Sequence, residues 1–445
     1  MKNRMKIFLF LLLGLSLLLI AGCSRSSSQA AASGAGADGI TTLKFFSCSP
    51  DRQAGPGLVE QIIIDQYMRE NPNIRIEVEA LQDEPYKQKF RAYVAANELP
   101  DIFHVWSYGA FFRPLLEGGY VAELNPSDYR DYKYLATALD GFMDSSGRLY
   151  GLSKAADFFV IYYNRKIFAD NGISVPASFE ELLDVSRRLR AAGVSPNAMN
   201  GRDEWNIAAL FNDLYYKEEG SSDLINNVSL TNGRFADNSV FLRSGEKLQQ
   251  LMDAQFFQNA FSSADYGAAR NLFIQSRAAM FYMGSWEVGL QSDPTMPAEF
   301  IENVSAFRLP ASATSRGRTT DLCGAYGGGF SVSSTSPNRE AAIEFMNYMM
   351  HPDNWARYAW QRGGSFPSQD VSDYTTGTET PLQLTLIDII KDSTSLSGEV
   401  FVEVSAPSFK TDAQSACATF ANGLLTTRQF LEELDRAAAV AFRQL

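Results

Sequence analysis

Asp157 opens the apolar run Phe158-Phe159-Val160-Ile161-Tyr162-Tyr163 and directly follows the small pair Ala155-Ala156. Six apolar or aromatic residues suit a buried strand and are too few for a helix. A carboxylate at the mouth of such a strand, behind residues without bulk, is well placed to meet a ligand where the chain passes between two lobes. The plainer reading is a buried strand with a solvated Asp at its end. A second carboxylate, Asp51, lies beside Arg52 in the loop Ser49-Pro50-Asp51-Arg52-Gln53. Trp106 and Tyr108, Trp205, and Trp286 supply flat aromatic surface, which serves either as core or as a platform for the apolar face of a ligand. Arg362, just before Gly363-Gly364, carries the paired donors that suit a carboxylate or hydroxyls, or else sits at the surface beside a turn.

The same inventory excludes much chemistry. No Gly-x-Ser-x-Gly nucleophile motif is present. Acidic residues are abundant enough that a glycosidase-like carboxylate pair stays open as an alternative. Gly324-Ala325-Tyr326-Gly327-Gly328-Gly329 suggests a phosphate loop, but lacks the following Lys-Ser/Thr and the Gly-x-Gly-x-x-Gly spacing. It reads instead as backbone that approaches a ligand or another lobe closely. With His104 and His351 the only histidines, a transition-metal site has almost no ligands to draw on, and neither metal nor cofactor is expected. Besides Cys23, the cysteines Cys48, Cys323 and Cys417 show no Cys-x-x-Cys spacing and allow at most one bridge. A formal net charge of −12, with no basic patch, is the wrong sign for nucleic acid.

The surrounding pattern says what positions these groups. Leu43–Cys48 reads as a strand, Gly57–Glu70 as a helix stopped by Asn71-Pro72, and the alternating Ile74–Glu79 as a second strand. Pro85–Asn97 follows as a helix and Pro100–Trp106 as a third strand, the order of a parallel sheet with helices on its faces. Ligands sit beyond the carboxyl ends of such strands, where the Asp51 and Trp106 loops fall. Further on, Ser178-Phe179-Glu180-Glu181 is a capping box, and 203–216, 238–254 and 264–275 read as helices. Ala278–Met283 is a strand running into Gly284-Ser285-Trp286, and Asn338–Met350 and Thr427–Arg443 are helices. Residues 371–400, rich in Ser, Thr and Asp, show little pattern. At 445 residues, 45% hydrophobic, the chain is long enough for two well-packed domains.

The succession Gly147-Arg148-Leu149-Tyr150-Gly151-Leu152, Tyr162-Tyr163-Asn164-Arg165, Phe168, Gly172-Ile173 and Pro176 resembles the extracellular solute-binding proteins of bacterial ABC importers. The sugar-binding, maltose-binding-protein-like branch is the nearest. Similarity recurs along most of 41–443, including Pro100-Asp101 to Gly119–Leu124, Gly284-Ser285-Trp286 and His351-Pro352-Asp353. The resemblance implies an α/β, two-lobed periplasmic-binding-protein fold of the class II type, each lobe a mostly parallel sheet flanked by helices. The expected division is 41–155 with 310–350 in lobe 1 and 156–309 with 351–445 in lobe 2. It also implies a non-catalytic, monomeric receptor that takes a mono- or oligosaccharide and delivers it to permease transmembrane subunits. A non-sugar solute or a surface sensor on the same fold is the alternative. Asp157 takes the place of the family's sugar-facing acid, and Trp286 that of its stacking Trp. Asp51, Arg52, Trp106, Tyr108, Trp205 and Arg362 complete the expected ligand set.

Residues 1–22 have the build of an export signal: Lys2, Arg4 and Lys6, then the apolar Ile7–Ile20. Fourteen residues at ~1.5 Å rise fall short of a bilayer core of about 30 Å. Ile20-Ala21-Gly22-Cys23 resembles a lipobox, which implies lipidation at Cys23, and 23–40 reads as a flexible Ser/Ala/Gly tether. Losing the three leader charges takes the chain from −12 to −15. The protein is therefore expected to be exported and anchored to the outer face of the cytoplasmic membrane.

Overall fold

The computed structural model describes residues 39–107, 109–231, 234–293 and 295–443. The expected signal segment, Cys23, the tether to residue 38, and Tyr108 lie outside the described residues. In chain order the strands are β1 (Thr41–Ser47), β2 (Ile74–Ala80), β3 (Ile102–Trp106), β4 (Leu152–Ser153), β5 (Asp157–Asn164) and β6 (Ser195–Ala198). There follow β7 (Ala278–Gly284), β8 (Val304–Phe307), β9 (Asp321–Leu322), β10 (Gly324–Ala325), β11 (Gly328–Val332) and β12 (Ser395–Leu396). They form one sheet in each of two lobes, β2-β1-β3-β11-β4 and β10-β5-β7-β6 with β8 beside β5, plus a small β9–β12 pair.

The strictly alternating β2 lies at a sheet edge, whereas the unbroken apolar run of β5 is buried on both faces. Phe159 and Ile161 enter one core cluster, and Phe158, Val160 and Tyr162 enter another on the opposite side. Having no solvent face, β5 has no reason to alternate. The helix Gly55–Glu70 buries Val59, Ile63, Ile64 and Tyr67 against the first sheet. The helix Asp83–Ala96 packs Tyr86 and Phe90 there, and the Tyr86 hydroxyl donates to the His104 carbonyl.

Three expectations need correction. The second sheet is not mostly parallel: β5 pairs antiparallel with β7, β8 and β10, and only β6–β7 is parallel. In the first, β1 is parallel to β2 and β3, but β11 runs against β3 and β4. Strands joined by a helix within a lobe come out parallel, while those arriving from the other lobe enter from the opposite end. The return crossing is not at 310. Leu309, Leu322 and Cys323 pack in the second lobe, β10 pairs with β5, and the chain passes over at Tyr326-Gly327 into β11. Nor does the division at 351 hold: Trp355 and Ala359 belong to the first core, and Ala356 and Trp360 on the same helix to the second. Within 371–400 the structure forms the helix Pro381–Lys391, opened by a Thr380–Gln383 capping box.

Backbones meet closely where the chain crosses. A Cβ on Gly329 would lie 2.4 Å from the Leu152 carbonyl oxygen and 2.5 Å from the Phe142 ring. Gly329→Ala is therefore expected to cost about 1–3 kcal/mol of stability. A thermal midpoint equal to that of the wild type would show that β4 and β11 do not approach as described.

Candidate ligand cleft

A cleft of ≈ 530 Å³ opens between the lobes, in the usual size range of small-molecule sites. Its lining includes Asp51, Trp106, Asp157, Trp205 and Trp286, drawn from five separate stretches of sequence. Arg52 and Arg362 are not among the lining residues. Arg52 is turned onto the helix behind its loop, where Nη1 donates to Glu60 Oε2 at 2.5 Å and Nε to Gln61 Oε1 at 3.2 Å. Glu60 is fully buried and also accepts from Ser47 Oγ at 2.6 Å, so the guanidinium pins the loop. Arg362 is exposed at the end of the helix Trp355–Gln361. Asp51 lines the rim, but one of its oxygens caps its own turn, accepting from the amides of Gln53 and Ala54 at 2.8 and 3.1 Å.

Trp106 ends β3 and is wedged edge-on against His104, Phe111 and Tyr86, with centroids 4.4, 5.2 and 5.7 Å apart. Lys87 Nζ lies 5.1 Å from the Trp106 ring centre, a cation–π contact. On the other lobe Phe159, Trp205 and Trp286 form one aromatic surface. The indoles are 6.1 Å apart, and Phe159 meets Trp286 edge-on at 5.5 Å. The Gly-Ser-Trp turn explains itself sterically, since a Cβ on Gly284 would fall 2.1 Å from the Trp286 ring, which folds back over it. Trp205 also reaches across the gap, its Nε1 donating to Asp83 Oδ2 at 2.8 Å.

Several lining residues were missed in the sequence. Tyr266 and Arg270, one helical turn apart, both hold the buried Glu287; Arg270 Nε donates to both carboxylate oxygens at 2.9 Å. His104 and Lys154 line the floor. A period-two reading of β3 would have found His104, two residues before Trp106 and hence on its face of the sheet. Lys154 stands three residues before Asp157, in the same crossing.

Burial pushes the Asp157 carboxyl up from its ordinary value of 3.8 to about 6, although the Lys154 ammonium and the Gly328 amide favour the charged form. Burial, then the nearby Lys154 and Lys87, hold His104 well below its usual value, leaving it neutral.

The profile of the family described as bacterial extracellular solute-binding protein matches residues 50–354. A multiple sugar-binding protein of Streptococcus mutans is 24% identical over 292 residues, 64% of this chain. The match spans 66% of that protein, just under two thirds of its length. A solved structure from work on xylan utilisation by the thermophilic bacterium Caldanaerobius polysaccharolyticus superimposes with a TM-score of 0.81. It is 24% identical and covers 89% of this chain and 99% of its own. A chitin oligosaccharide binding protein gives a TM-score of 0.80 at 21% identity, covering 91% of this chain and 99% of its own.

Because the folded-state value of Asp157 is raised, its ionisation costs stability above about pH 6. That cost fades as the pH falls through 6 and is gone below the unfolded value near 3.9. Asp157→Asn should therefore stabilise the ligand-free protein at pH 7–8, by on the order of 1–3 kcal/mol, and leave it unchanged at pH 4. Wild-type and variant thermal midpoints that run parallel from pH 4 to 8 would exclude a buried charge at this position.

Proposed function

The chain belongs to the bacterial extracellular solute-binding proteins, and from that premise we propose that it captures a mono- or oligosaccharide between its lobes for an ABC importer. The observation that carries this reading is the lining of the cleft. Phe159, Trp205 and Trp286 stand on one lobe and Trp106 on the other, and Asp157 stands on the floor between them. A pyranose has apolar C–H faces and a rim of hydroxyls, so it needs flat aromatic partners above and below and polar groups at its edge. The sugar-binding relatives named above support the same ligand class.

Capture proceeds by closure. Groups from both lobes contact the sugar together only when the lobes are shut, so binding draws a pre-existing equilibrium toward the closed form. The crossings at Lys154–Ala156 and Tyr326-Gly327 and the helix Trp355–Gln361 are the bending segments. The closed protein then docks as a monomer on the transmembrane subunits of its permease. Lipidation at Cys23 keeps it at the outer face of the cytoplasmic membrane, two or three acyl chains being enough for permanent anchoring. No catalytic residue is assigned.

Isothermal calorimetry against maltotriose, raffinose, xylotriose and N,N′-diacetylchitobiose should find a binder with a micromolar or lower Kd, about −8 kcal/mol or better. Trp286→Ala should weaken that binder roughly 10- to 100-fold through lost stacking and burial. Silence across this panel, widened to charged sugars, would reject a carbohydrate ligand.

A further inference from the structure

Three polar side chains converge on the floor of the cleft around Gly328. The position a Cβ would occupy there is 3.4 Å from Asp157 Oδ2, 3.5 Å from His104 Cε1 and 3.5 Å from Lys154 Cε. The three come from different segments: β3, the first crossing, and the start of β5, all facing the first residue of β11. His104 is 2% exposed, and neither ring nitrogen has a hydrogen-bond partner among the described residues. Lys154 is 7% exposed; Nζ lies 3.9 Å from Cys48 Sγ and 5.2 Å from the Phe330 ring centre, and has no carboxylate within ion-pair distance among the described residues. Buried polar groups are normally satisfied, so an unpartnered imidazole, beside an ammonium held by a weak thiol acceptor and a carboxylate held by one backbone amide, implies something that arrives to complete them.

Resting on the carbohydrate reading above, we propose that His104, Lys154 and Asp157 form a specificity subsite that takes neighbouring hydroxyls of a neutral sugar unit and rejects sugars charged at that point. The ammonium only donates and the carboxylate only accepts, while the neutral imidazole, its titration suppressed by burial, does one of each. A hydroxyl donates and accepts at once, so adjacent hydroxyls answer all three groups. A ligand carboxylate would meet Asp157 at close range, and a ligand ammonium would meet Lys154. Each leaves a like-charge pair in a largely buried site, where screening is weak. Gly328 keeps the space open, since any side chain there would occupy the point where the three groups meet.

The test compares the tightest neutral sugar of the panel with charged probes, digalacturonate for a carboxylate and chitobiose lacking its acetyl groups for an ammonium. The wild type should bind the neutral sugar at least ~10-fold more tightly than either probe. His104→Phe and Lys154→Met, which keep volume and remove the polar atoms, should each weaken the neutral sugar about 10- to 100-fold. His104→Gln, with a donor and an acceptor of its own, should recover much of the loss, which a merely structural role for the ring would not allow. Equal affinity for neutral and charged probes in the wild type overturns the proposal without any variant having to fold. Unchanged neutral-sugar binding by His104→Phe and Lys154→Met overturns it while leaving sugar capture intact. No binding of any sugar removes it together with its premise.

Discussion

The peptide groups of the first crossing are held by segments far away in the sequence. The Lys154 amide donates to the Gly328 carbonyl at 2.9 Å and the Ala156 amide to the Phe366 carbonyl at 2.8 Å. Trp355 Nε1 donates to the Lys154 carbonyl at 2.7 Å, Ser368 Oγ to that of Ser153 at 2.9 Å, and Ser285 Oγ to that of Ala156 at 2.8 Å. A segment between two cores has no ladder of its own, and its buried backbone must be paired by whatever passes beside it. The crossings and the stretch after the helix Trp355–Gln361 are therefore tied together in one bundle at the seam. That bundle fixes the start of β5, and with it Asp157, at the floor of the cleft. Gly324 and Gly329 are there because a second backbone lies where a Cβ would be.

This constraint also sorts what the sequence disclosed from what it withheld. The β5 run, the Asp157 position and the Gly284-Ser285-Trp286 turn could be read because each rests on local chemistry: an apolar stretch, a charge at its edge, a glycine under an indole. The glycine-rich stretch was read as a place of close backbone approach, and a Cβ at Gly324 or Gly329 would indeed meet backbone atoms of another segment. The return crossing could not be located, because residues 310–325 form only short strands whose lobe is decided by long-range pairing with β5 and β12. Arg52 misled for the same reason. Its partner Glu60 stands eight residues away, inside a helix whose apolar pattern gives no hint of a buried carboxylate. The helix Pro381–Lys391 was hidden by Ser, Thr and Asp in its flanking loops, and Pro407–Ala421 by the same residue types within it.

Acidic residues are plentiful around the cleft, but most are already committed. Asp83 accepts from Trp205 and pairs with Lys87, Glu287 is held by Arg270 and Tyr266, and Glu403 pairs with Lys410 at 2.6 Å. Asp51 and Asp293 each cap a turn of their own. Asp157 differs in resting on a single backbone amide and an ammonium too far away for an ion pair. A carboxylate with lone pairs to spare, in a place that disfavours its charge, has more to gain from a ligand's hydroxyls than one already saturated. Abundance of acid in the sequence thus says little about which acid binds. The count of partners in the fold decides it.

The bond from Trp205 to Asp83 raises the question of how closed the protein stays without ligand. An indole-to-carboxylate hydrogen bond contributes about 1.5–3 kcal/mol net. Both of its ends are aimed by left-handed backbone, φ 33° at Asp83 itself and φ 58° at Glu204 just before Trp205. Such residues cost roughly 1–3 kcal/mol each. A single bond of that size is small beside the roughly 8 kcal/mol expected of a bound ligand, and this contact does not by itself hold the lobes shut. It registers them, setting Trp205 ring-on to the cleft with its N–H already used, so that a ligand meets the indole through its face alone. The contacts that tip the balance toward closure must then come from the aromatic walls and the open polar groups of the floor, which only a ligand completes.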